Sequence, residues 1–512
     1  MSRKIKSSSS ASCELDPLTT TLTKKCIDEL LPVITAMVNA SLNSGVMPCL
    51  FKRAIVTPLL KKVGASHEDL ENYRPISNLN FYGKVIEKAA TVQIVDYLTE
   101  NNLHIPTQSA YKKQHSVETA LTRVQNDILL SLDQRQEALL VLLDFSSAFD
   151  TIDHDILLDR LAKRYGFEGS VFKWFSSYLS GRSHVVKIEN HNSYSVTDDC
   201  GVRQGSIMGP LLFTLYSAPI YDIIKAHGLC SMIYAGDIQV YLTFSANERE
   251  MAISRINSCI KDITCWSIKN KLLINSSKTE VIHFTSKFAP SPPLPLVVTV
   301  DGVSIPAVSK ARNLGVIMDK HLSMTDHITK TCQSAIVAIR KIGQIRQYLN
   351  RKCIEILVNS LIISHVDNCN VLLYGLPKKD LNRVQKIQNT AARLIEGARS
   401  RDSISPILSK LHWLPVEKRV IFKILIMCFK AQNNLSPSYI ADLIHQHTPA
   451  RTLRSSSQNL LSVYSVNTHT YGNRSFIASA PTLWNSLPIT IRKISSLDTF
   501  KKALKTHLFL HL

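Results

Sequence analysis

Residues 138–145 read A-L-L-V-L-L-D-F, and this stretch decides the fold. It is a continuous apolar run that ends at Asp144, which predicts a strand buried on both faces with a carboxylate at the edge of a sheet. Helical periodicity precedes the run at 83–100 and 116–132, and two more helices are predicted within 154–180. The sequence therefore predicts a domain in which helices cover a buried sheet.

A second acid lies at a predicted turn further along the chain. Residues 229–235 predict an apolar strand, Gly236-Asp237 a turn, and residues 238–244 a returning strand with alternating apolar and polar side chains. This pattern is typical of a β-hairpin with Asp237 at its tip. Before it, the Gly-bracketed turn G-V-R-Q-G-S at 201–206 leads into another predicted helix.

Two acids at strand ends are compatible with metal-dependent chemistry. Polymerases bring carboxylates together from distant segments and hold two divalent cations about 3.5–4 Å apart. Magnesium prefers oxygen ligands and is usually shared with substrate phosphates. A lone acid at a strand end is more often a cap or a turn former, so Asp144 and Asp237 do not identify a polymerase by themselves.

The charge balance favours an anionic partner. Lys and Arg number 60 against 40 Asp and Glu, for a formal charge of +20. An excess of this size is typical of proteins that bind nucleic acid or an anionic membrane face, although a basic, merely soluble surface gives the same count. The eleven cysteines form no C-x-x-C pair, which favours reduced thiols in the cytosol or nucleus over disulfides or a zinc site.

The sequence predicts neither a secretory signal nor a membrane segment. No secretory signal follows the basic, Ser-rich start of the chain, and no apolar stretch approaches the roughly 18 residues of a membrane span.

The remaining secondary structure is predicted from periodicity and turn residues. The other predictions are a helix at 22–44 closed by Gly45 and kinked at Pro32, strands at 53–60, 183–189 and around 275–277, helices near 325–349, 351–366 and 380–396, and core positions for Trp413 and Trp484.

Seven blocks in order resemble the motifs of LINE-type (non-long-terminal-repeat) reverse transcriptases. They are N-Y-R-P-I-S-N-L (72–79), Q-S-A-Y-K-K-Q-H-S-V-E-T-A-L (108–121), L-L-D-F-S-S-A-F-D-T-I-D-H (142–154), G-V-R-Q-G-S-I-M-G-P-L-L-F (201–213), I-Y-A-G-D-I-Q-V-Y (233–241), N-K-L-L-I-N-S-S-K-T-E (270–280) and N-L-G-V-I-M-D (313–319). The tail is similar to the vertebrate branch of these elements, in L-P-V-E-K-R (414–419), Y-G-N-R-S-F (471–476) and L-W-N-S-L-P (483–488).

The resemblance implies an α+β right-hand polymerase fold with fingers, palm and thumb. The expected domains are a disordered tail at 1–15, a helical extension at 16–52, fingers and palm at 53–320, a helical thumb at 321–400 and a C-terminal retroelement region at 401–512. The family's upstream endonuclease is not expected here, because the chain begins close to the fingers. It resembles a 5′-truncated copy, for which autonomous transposition is not expected.

The resemblance also assigns roles in motif A. Asp144 matches the metal-binding aspartate, and the backbone carbonyl of Phe145 would be a further ligand of Mg²⁺ or Mn²⁺. Phe149 matches the bulky residue that excludes a 2′-hydroxyl, where the alternative interpretation is an ordinary core side chain.

Further matches concern the nucleotide and the template. Gln204 and Gly205 match the motif B turn, and Tyr234 belongs to motif C at the same substrate site. Arg203 replaces the family's usual proline, which is expected to loosen the motif B turn slightly. Gly205 is expected to allow close approach of the backbone.

Three basic residues are candidates for contacts with phosphate. Lys112 stands where the family has arginine, so it would hold a triphosphate as a point charge without the bidentate fork. Arg74 is a candidate for contact with nucleic acid or nucleotide, and a surface ion pair is the alternative. Lys278 matches the motif D lysine, a candidate acid for release of pyrophosphate, although an exposed turn lysine explains it almost as well.

Motif C departs from the family pattern Y-A-D-D. The chain reads Tyr234-Ala235-Gly236-Asp237, so Gly236 stands at the position of a metal-binding aspartate and the two-metal site is expected to be incomplete. Losing that carboxylate predicts a rate lower by several orders of magnitude, because a bound ion stabilises the transition state by several kcal/mol.

Three hypotheses remain open from the sequence. The first is a weak RNA-directed DNA polymerase that uses an RNA template, a DNA primer and deoxynucleoside triphosphates. The second is a nucleic-acid-binding remnant that cannot extend a primer. The third is a translated relic without a selected role. In each case the protein is expected in the cytoplasm or nucleus, without a membrane partner.

Overall fold

The computed structural model describes residues 5–6, 13–62, 64–290, 295–447 and 458–510. Most of the predicted tail at 1–15 lies outside these residues. The chain divides into two compact units, each built from three segments. Unit 1 comprises Met1–Tyr111, Asp144–Ala226 and Lys261–Asn275, and unit 2 comprises Lys112–Leu143, His227–Ile260 and Ser276–Leu512.

Unit 1 combines helices with a mixed sheet. Its elements are α1 (Thr20–Lys25), α2 (Ile27–Ser44), β1 (Arg53–Leu60), β2 (Tyr73–Leu79), α3 (Phe81–Glu100), β4 (Phe145–Ser146), α5 (His154–Tyr165), α6 (Gly169–Leu179), β5 (Arg182–Ile188), β6 (His191–Asn192), β7 (Val196–Asp198), α7 (Gly209–Ser217), α8 (Pro219–Ala226) and β10 (Leu273–Ile274). The sheet order is β2-β1-β5-β6, with β7 also paired to β5. The predicted strand at 53–60 is confirmed, as are the helices at 83–100 and within 154–180.

Strand β2 was not predicted, because Pro75 interrupts its pattern. Proline cannot donate to a sheet ladder and is confined largely to edge strands. In the structure β2 is an edge strand, paired on one side with β1, and Pro75 lies opposite Pro58. The proline is therefore compatible with a strand that, among the described residues, is paired on one side only.

Unit 2 contains the predicted buried sheet. Its elements are α4 (Val117–Asp133), β3 (Glu137–Leu143), β8 (Cys230–Tyr234), β9 (Asp237–Phe244), β11 (Glu280–Phe284), β12 (Val297–Val300), β13 (Val303–Pro306), β14 (Lys310–Asn313) and β15 (Val316–Asp319). The antiparallel order is β11-β3-β9-β8, so the apolar run forms an interior strand and the predicted hairpin is β8–β9. A capping box at Ser116 and Thr119 starts α4. Both the strand and the hairpin predictions are confirmed.

Helices make up the rest of unit 2. They are α10 (Thr325–Ile345), α11 (Arg351–Val358), α12 (Ser364–Asp367), α13 (Lys378–Glu396), α14 (Ile404–Lys410), α15 (Val416–Gln432), α16 (Ser438–Ala441), α17 (Phe476–Asn485), α18 (Ile489–Arg492) and α19 (Leu497–Leu510). Helix α9 (Arg249–Lys269) contributes residues to both units. The predicted helices after residue 320 are confirmed, and Trp413 and Trp484 are buried as predicted.

One buried apolar cluster runs through unit 2, from Ala120 in α4 to Leu508 in α19. It includes residues on both sides of the expected thumb boundary at residue 400. The expected domain limits stay predictions.

Two local predictions need correction. The helix predicted at 22–44 is divided at Cys26 into α1 and α2, although it ends at Gly45 as predicted, with a left-handed φ of 71°. The strands predicted around 275–277 are β10 and β11, and residues Ser276–Lys278 between them form a 3-10 turn. Within the described ranges, no helix combines the length and the apolar character needed to cross a membrane.

Asp133 ties the end of α4 to the C-terminal part of unit 2. Its buried carboxylate accepts hydrogen bonds from the Asn467 N–H (2.9 Å), the Thr468 N–H (2.7 Å) and the Thr468 hydroxyl (2.8 Å). Asp133→Ala is expected to lower the free energy of unfolding by about 1–3 kcal/mol, because three partly buried donors lose their acceptor. Urea unfolding measures this effect. Asp159→Ala, at an exposed i,i+4 pair with Lys163, is the control and should change it by less than about 0.5 kcal/mol.

Candidate active site

The hairpin tip of unit 2 is a two-residue turn. Tyr234 pairs with Asp237 across the hairpin, which leaves Ala235 and Gly236 as the loop. Ala235 has a φ of 56°, the left-handed conformation that tight hairpin turns require at their first loop position. The Asp237 side chain is exposed, while Tyr234 and Gly236 are half-buried.

The strand register fixes which end of the sheet carries this tip. In the antiparallel β3–β9 pair, Leu143 at the end of β3 lies opposite Ile238 near the start of β9. The exit of β3 and the start of β9 are therefore at the same end of the unit 2 sheet. Asp144 is the residue that follows β3, and Asp237 is the first residue of β9.

The residues around Asp144 belong to unit 1 and are held by the strand pair β4–β10. The Asn275 N–H donates to the Asp144 backbone carbonyl at 2.8 Å. Phe145 then pairs with Ile274, and its side chain is buried. The backbone of this short motif is thus held in place by main-chain pairing.

Phe149 lies in the turn after β4. Its ring stacks on the ring of Phe213 in α7, with centroids 5.2 Å apart and planes inclined by 27°. Phe149 remains half-buried, so part of the ring is open to contact while the rest is supported. This arrangement is compatible with a rigid steric wall as well as with a core side chain.

The motif B turn is clamped to two neighbouring segments of unit 1. The Gln204 side-chain amide donates to both carboxylate oxygens of Asp150, at 3.1 and 3.0 Å. The Ser77 N–H donates to the Gln204 carbonyl at 2.8 Å. Gly205 has a φ of 116°, and a Cβ there would lie 2.5 Å from the Ser77 carbonyl oxygen. The close approach found at Gly205 is to the Ser77 backbone, and the predicted approach to template and nucleotide stays a prediction.

Glu87 supports the same turn from within α3. It is fully buried, accepts a hydrogen bond from the Tyr178 hydroxyl (2.9 Å) and accepts another from the Ile207 N–H (2.7 Å). Burial raises the pKa of the Glu87 carboxyl. Sequence analysis missed this residue, yet a signal exists: Glu87 lies at helical spacing from Gly83, on an otherwise apolar stripe.

Arg203 is anchored by an ion pair. Its guanidinium binds the carboxylate of Asp198 in β7, which also accepts a hydrogen bond from His184 Nδ1 at 2.6 Å. Burial lowers the pKa of Arg203 to about 10, although the charge of Asp198 opposes that shift. The side chain that replaces the family's proline thus ties the motif B turn to β7.

The three candidate phosphate ligands lie in different surroundings. Arg74 is exposed on β2 of unit 1, and Lys278 is exposed in the 3-10 turn of unit 2. Lys112 of unit 2 is half-buried, and burial lowers the pKa of its ammonium group to about 8. The charge of Lys112 therefore titrates at about pH 8.

Each unit contains oxygen atoms of the kind that Mg²⁺ prefers. Asp144, the Phe145 carbonyl and Asp237 could each donate an oxygen, whereas Gly236 has no side chain to donate. Across the described parts of the chain, no group of three or more His, Cys, Asp or Glu side chains is arranged to hold a metal ion. The second loop position of the hairpin, residue 236, therefore offers no carboxylate.

Comparison with known proteins agrees with these motifs. The chain is 28% identical over 368 residues to "Probable RNA-directed DNA polymerase from transposon BS" of Drosophila melanogaster, covering 70% of this chain and 40% of that protein. It is 27% identical over 387 residues to "RNA-directed DNA polymerase from mobile element jockey" of Drosophila funebris, covering 73% and 41%. The solved structure of apo telomerase from Candida Tropicalis aligns with a TM-score of 0.41 at 10% identity, covering 77% and 67%.

The chain spans about two fifths of the length of these two curated relatives. The profile of the family described as "Reverse transcriptase (RNA-dependent DNA polymerase)" matches residues 60–318, just over half of the chain. These residues contain the four-stranded sheet of unit 2, with its hairpin, and the motif B turn described above. With its right-hand polymerase fold of mixed helix and sheet, the chain belongs to the reverse transcriptase (RNA-dependent DNA polymerase) family.

Proposed function

We propose that this protein is a reverse transcriptase-like protein of retrotransposon origin whose RNA-directed DNA polymerase activity is impaired. The observation that carries the proposal is Gly236, which occupies the second loop position of the β8–β9 hairpin without a carboxylate. The family match and the ordered motifs support the polymerase ancestry. The tail blocks at 414–419, 471–476 and 483–488 support a place in the vertebrate branch of LINE-type elements.

The metal ligands proposed for the reaction are Asp144, the Phe145 backbone carbonyl and Asp237. When bound, Mg²⁺ or Mn²⁺ supplies activation of the attacking hydroxyl and stabilisation of the leaving oxygen. The carboxylates neutralise and orient the cations, so a missing carboxylate at residue 236 weakens their binding and displaces the reacting groups. Small displacements of this kind are costly, because reactivity depends strongly on the distance between the reacting atoms.

Substrate contacts are proposed for the residues around the motif B turn. The face of the Phe149 ring that Phe213 does not cover would exclude a 2′-hydroxyl. Gln204 and Gly205 would contact nucleotide and template through a turn that Asp150 and Ser77 hold in place.

The remaining proposed contacts are with the primer terminus and the phosphates. Tyr234 would lie next to the primer terminus, and Arg74 would contact the nucleic-acid backbone. Lys278 would protonate the leaving pyrophosphate.

Lys112 gives this proposal a pH dependence. Its ammonium form, the form that attracts a triphosphate, is lost as pH rises through about 8. Affinity for a deoxynucleoside triphosphate is therefore expected to be full below pH 7 and to fall between pH 7.5 and about 9. Binding titrations across this range measure the effect. Lys112→Arg should abolish it, since arginine stays charged, and an unchanged profile in that variant would exclude Lys112.

Primer extension tests the proposed impairment directly. The chain as written and its Asp144→Ala variant are compared on an RNA template, first with magnesium and then with manganese. If the polymerase is impaired, both should extend at a similar background rate. A rate for the chain as written that exceeds the Asp144→Ala rate by a hundredfold or more would show that motif C functions without a carboxylate at residue 236.

A second candidate is a nucleic-acid-binding remnant without polymerase activity. The formal charge of +20 favours it, because binding to phosphates does not require the missing carboxylate. Gel-shift titrations with a primer–template duplex test it. The logarithm of the binding constant should fall linearly with the logarithm of the salt concentration, with a slope of about −0.9 per phosphate contacted. Weak binding that does not depend on salt concentration would favour the third hypothesis, a translated relic without a selected role.

A further inference from the structure

A cavity of about 550 Å³ lies within unit 2. It is lined by the start of α4, by one face of α15 and by Lys505 of α19, together with nearby loop residues. Its volume is within the range of about 300–1,000 Å³ that is typical of small-molecule sites. Part of its lining comes from the motif blocks 108–121 and 414–419, but none of the residues proposed to contact metal, nucleotide or template lines it.

The face of α15 that lines the cavity carries a row of cations. Arg419, Lys423 and Lys430 recur at spacings of four and seven residues, which places them on one side of the helix. The first two are neutralised locally. Arg419 binds the Asp367 carboxylate through two nitrogens, one at 2.8 Å, and Lys423 binds Glu118 at 3.1 Å.

Two cations of the cavity remain without a carboxylate. Lys430 and Lys505 form no ion pair within the part of unit 2 that the structure describes. Both are half-buried, and burial together with the charge of Arg419 lowers the pKa of Lys505. The cavity thus contains two partly buried ammonium groups whose charges are not offset by an ion pair in the described part of unit 2. An anion in the cavity would supply that offset.

The helices that carry these lysines are packed together by an aromatic contact. Phe429, next to Lys430, stacks on Phe500 of α19 with centroids 4.4 Å apart. Lys505 follows one turn and a half further along α19. Lys430 and Lys505 thus belong to a packed pair of helices and line the same cavity.

The wall of the cavity is apolar where it is not charged. Phe422, Ile426 and Met427 of α15 face it, and Phe422 is half-buried, so that its ring is available to a ligand. An aromatic side chain next to lysine side chains can bind a ligand that has both an anionic group and a planar aromatic ring. Aromatic side chains stack on nucleobases with about 1–3 kcal/mol per base.

We propose that this cavity is a nucleotide site, in which Lys430 and Lys505 hold the phosphate and Phe422 contacts the base. The ligand chemistry is a nucleoside phosphate, either free or at the 5′ end of a nucleic-acid strand. Both sources present the same phosphate monoester and the same base to the cavity.

Binding of fluorescein-labelled uridine 5′-monophosphate to the full chain tests the site. The double variant Lys430→Ala/Lys505→Ala is expected to lower affinity by at least about tenfold, because two charge-assisted contacts are lost. Lys418→Ala/Lys502→Ala is the matched control. It removes the same charge from the same two helices at residues that do not line the cavity, and it should change affinity less than twofold.

A second arm identifies the source of the phosphate. A labelled RNA 12-mer is compared with and without a 5′-phosphate, and a preference for the phosphorylated strand that is lost in the cavity variant assigns the site to strand ends. Tight binding of the mononucleotide without that preference assigns it to free nucleotides. Phe422→Leu should weaken the nucleotide but not inorganic phosphate. If the cavity and control variants bind all probes alike, the proposal is wrong.

Discussion

Gly236→Asp is expected to raise the rate of primer extension on an RNA template on the order of a thousandfold. A metal ion supplies several kcal/mol of transition-state stabilisation, and each 1.36 kcal/mol is worth about tenfold in rate. The substitution supplies the carboxylate that the donor set lacks. Aspartate is compatible with the site, because aspartate is frequent in tight hairpin turns and Gly236 is half-buried in the loop.

Two further variants separate the charge from the shape of the new side chain. Gly236→Asn has nearly the same volume without the carboxylate, and it should extend no faster than the chain as written. Gly236→Asp combined with Asp144→Ala should return to background, since the restored site needs both acids. Failure of Gly236→Asp to extend at all, in a protein that still binds a primer–template duplex, would mean that impairment extends beyond residue 236.

Gly205→Ala is expected to disrupt the motif B turn. A Cβ at residue 205 would lie 2.5 Å from the Ser77 carbonyl oxygen, and a φ of 116° is strained for any residue with a side chain. The expected loss is about 3 kcal/mol or more in the free energy of unfolding of this region. The Ser77 N–H also donates to the Gln204 carbonyl. Separation of the residue 205 backbone from Ser77 therefore breaks that hydrogen bond as well.

Urea unfolding and hydrogen–deuterium exchange of peptides around 200–210 measure this effect. Gly343→Ala is the control, since Gly343 is in helix α10 and a Cβ there would meet no heavy atom of a neighbouring segment within 4 Å. Alanine there should stabilise the protein by about 0.5–1 kcal/mol. Equal exchange of the turn in Gly205→Ala and the parent chain would show that the turn relaxes without cost.

Local sequence patterns predicted much of the fold. The apolar run before Asp144 and the alternating residues after Gly236 suffice for a strand and a hairpin, because neighbouring residues alone set those patterns. Strand β2 was not predicted because it contains Pro75. A proline is compatible with a strand at the edge of a sheet, and the edge position of β2 is known only from the assembled sheet. The 3-10 turn at Ser276–Lys278 is likewise a short, polar connection without a periodic signal.

The candidate site was likewise predicted only in part from local sequence. The motif predicted that Gly205 lies close to template and nucleotide, which stays a prediction, whereas its contact with Ser77 appears only in the structure. Glu87 and Asp150 were missed as supports of the motif B turn, because their partners Ile207 and Gln204 are 120 and 54 residues away in the sequence. Their roles depend on tertiary contacts, which a single sequence does not report.

The interleaving of the two units affects how the chain can fold during synthesis. Leu121 of α4 packs in the same buried cluster as Leu504 of α19. A ribosome adds roughly 5–20 residues per second, so α4 would wait on the order of 20–80 s for its C-terminal partners. During that interval the apolar face of α4 and the strand β3 would be open to chaperones and to aggregation. A nascent chain stopped before α19 would leave the cluster unfinished, even though it contained every polymerase motif.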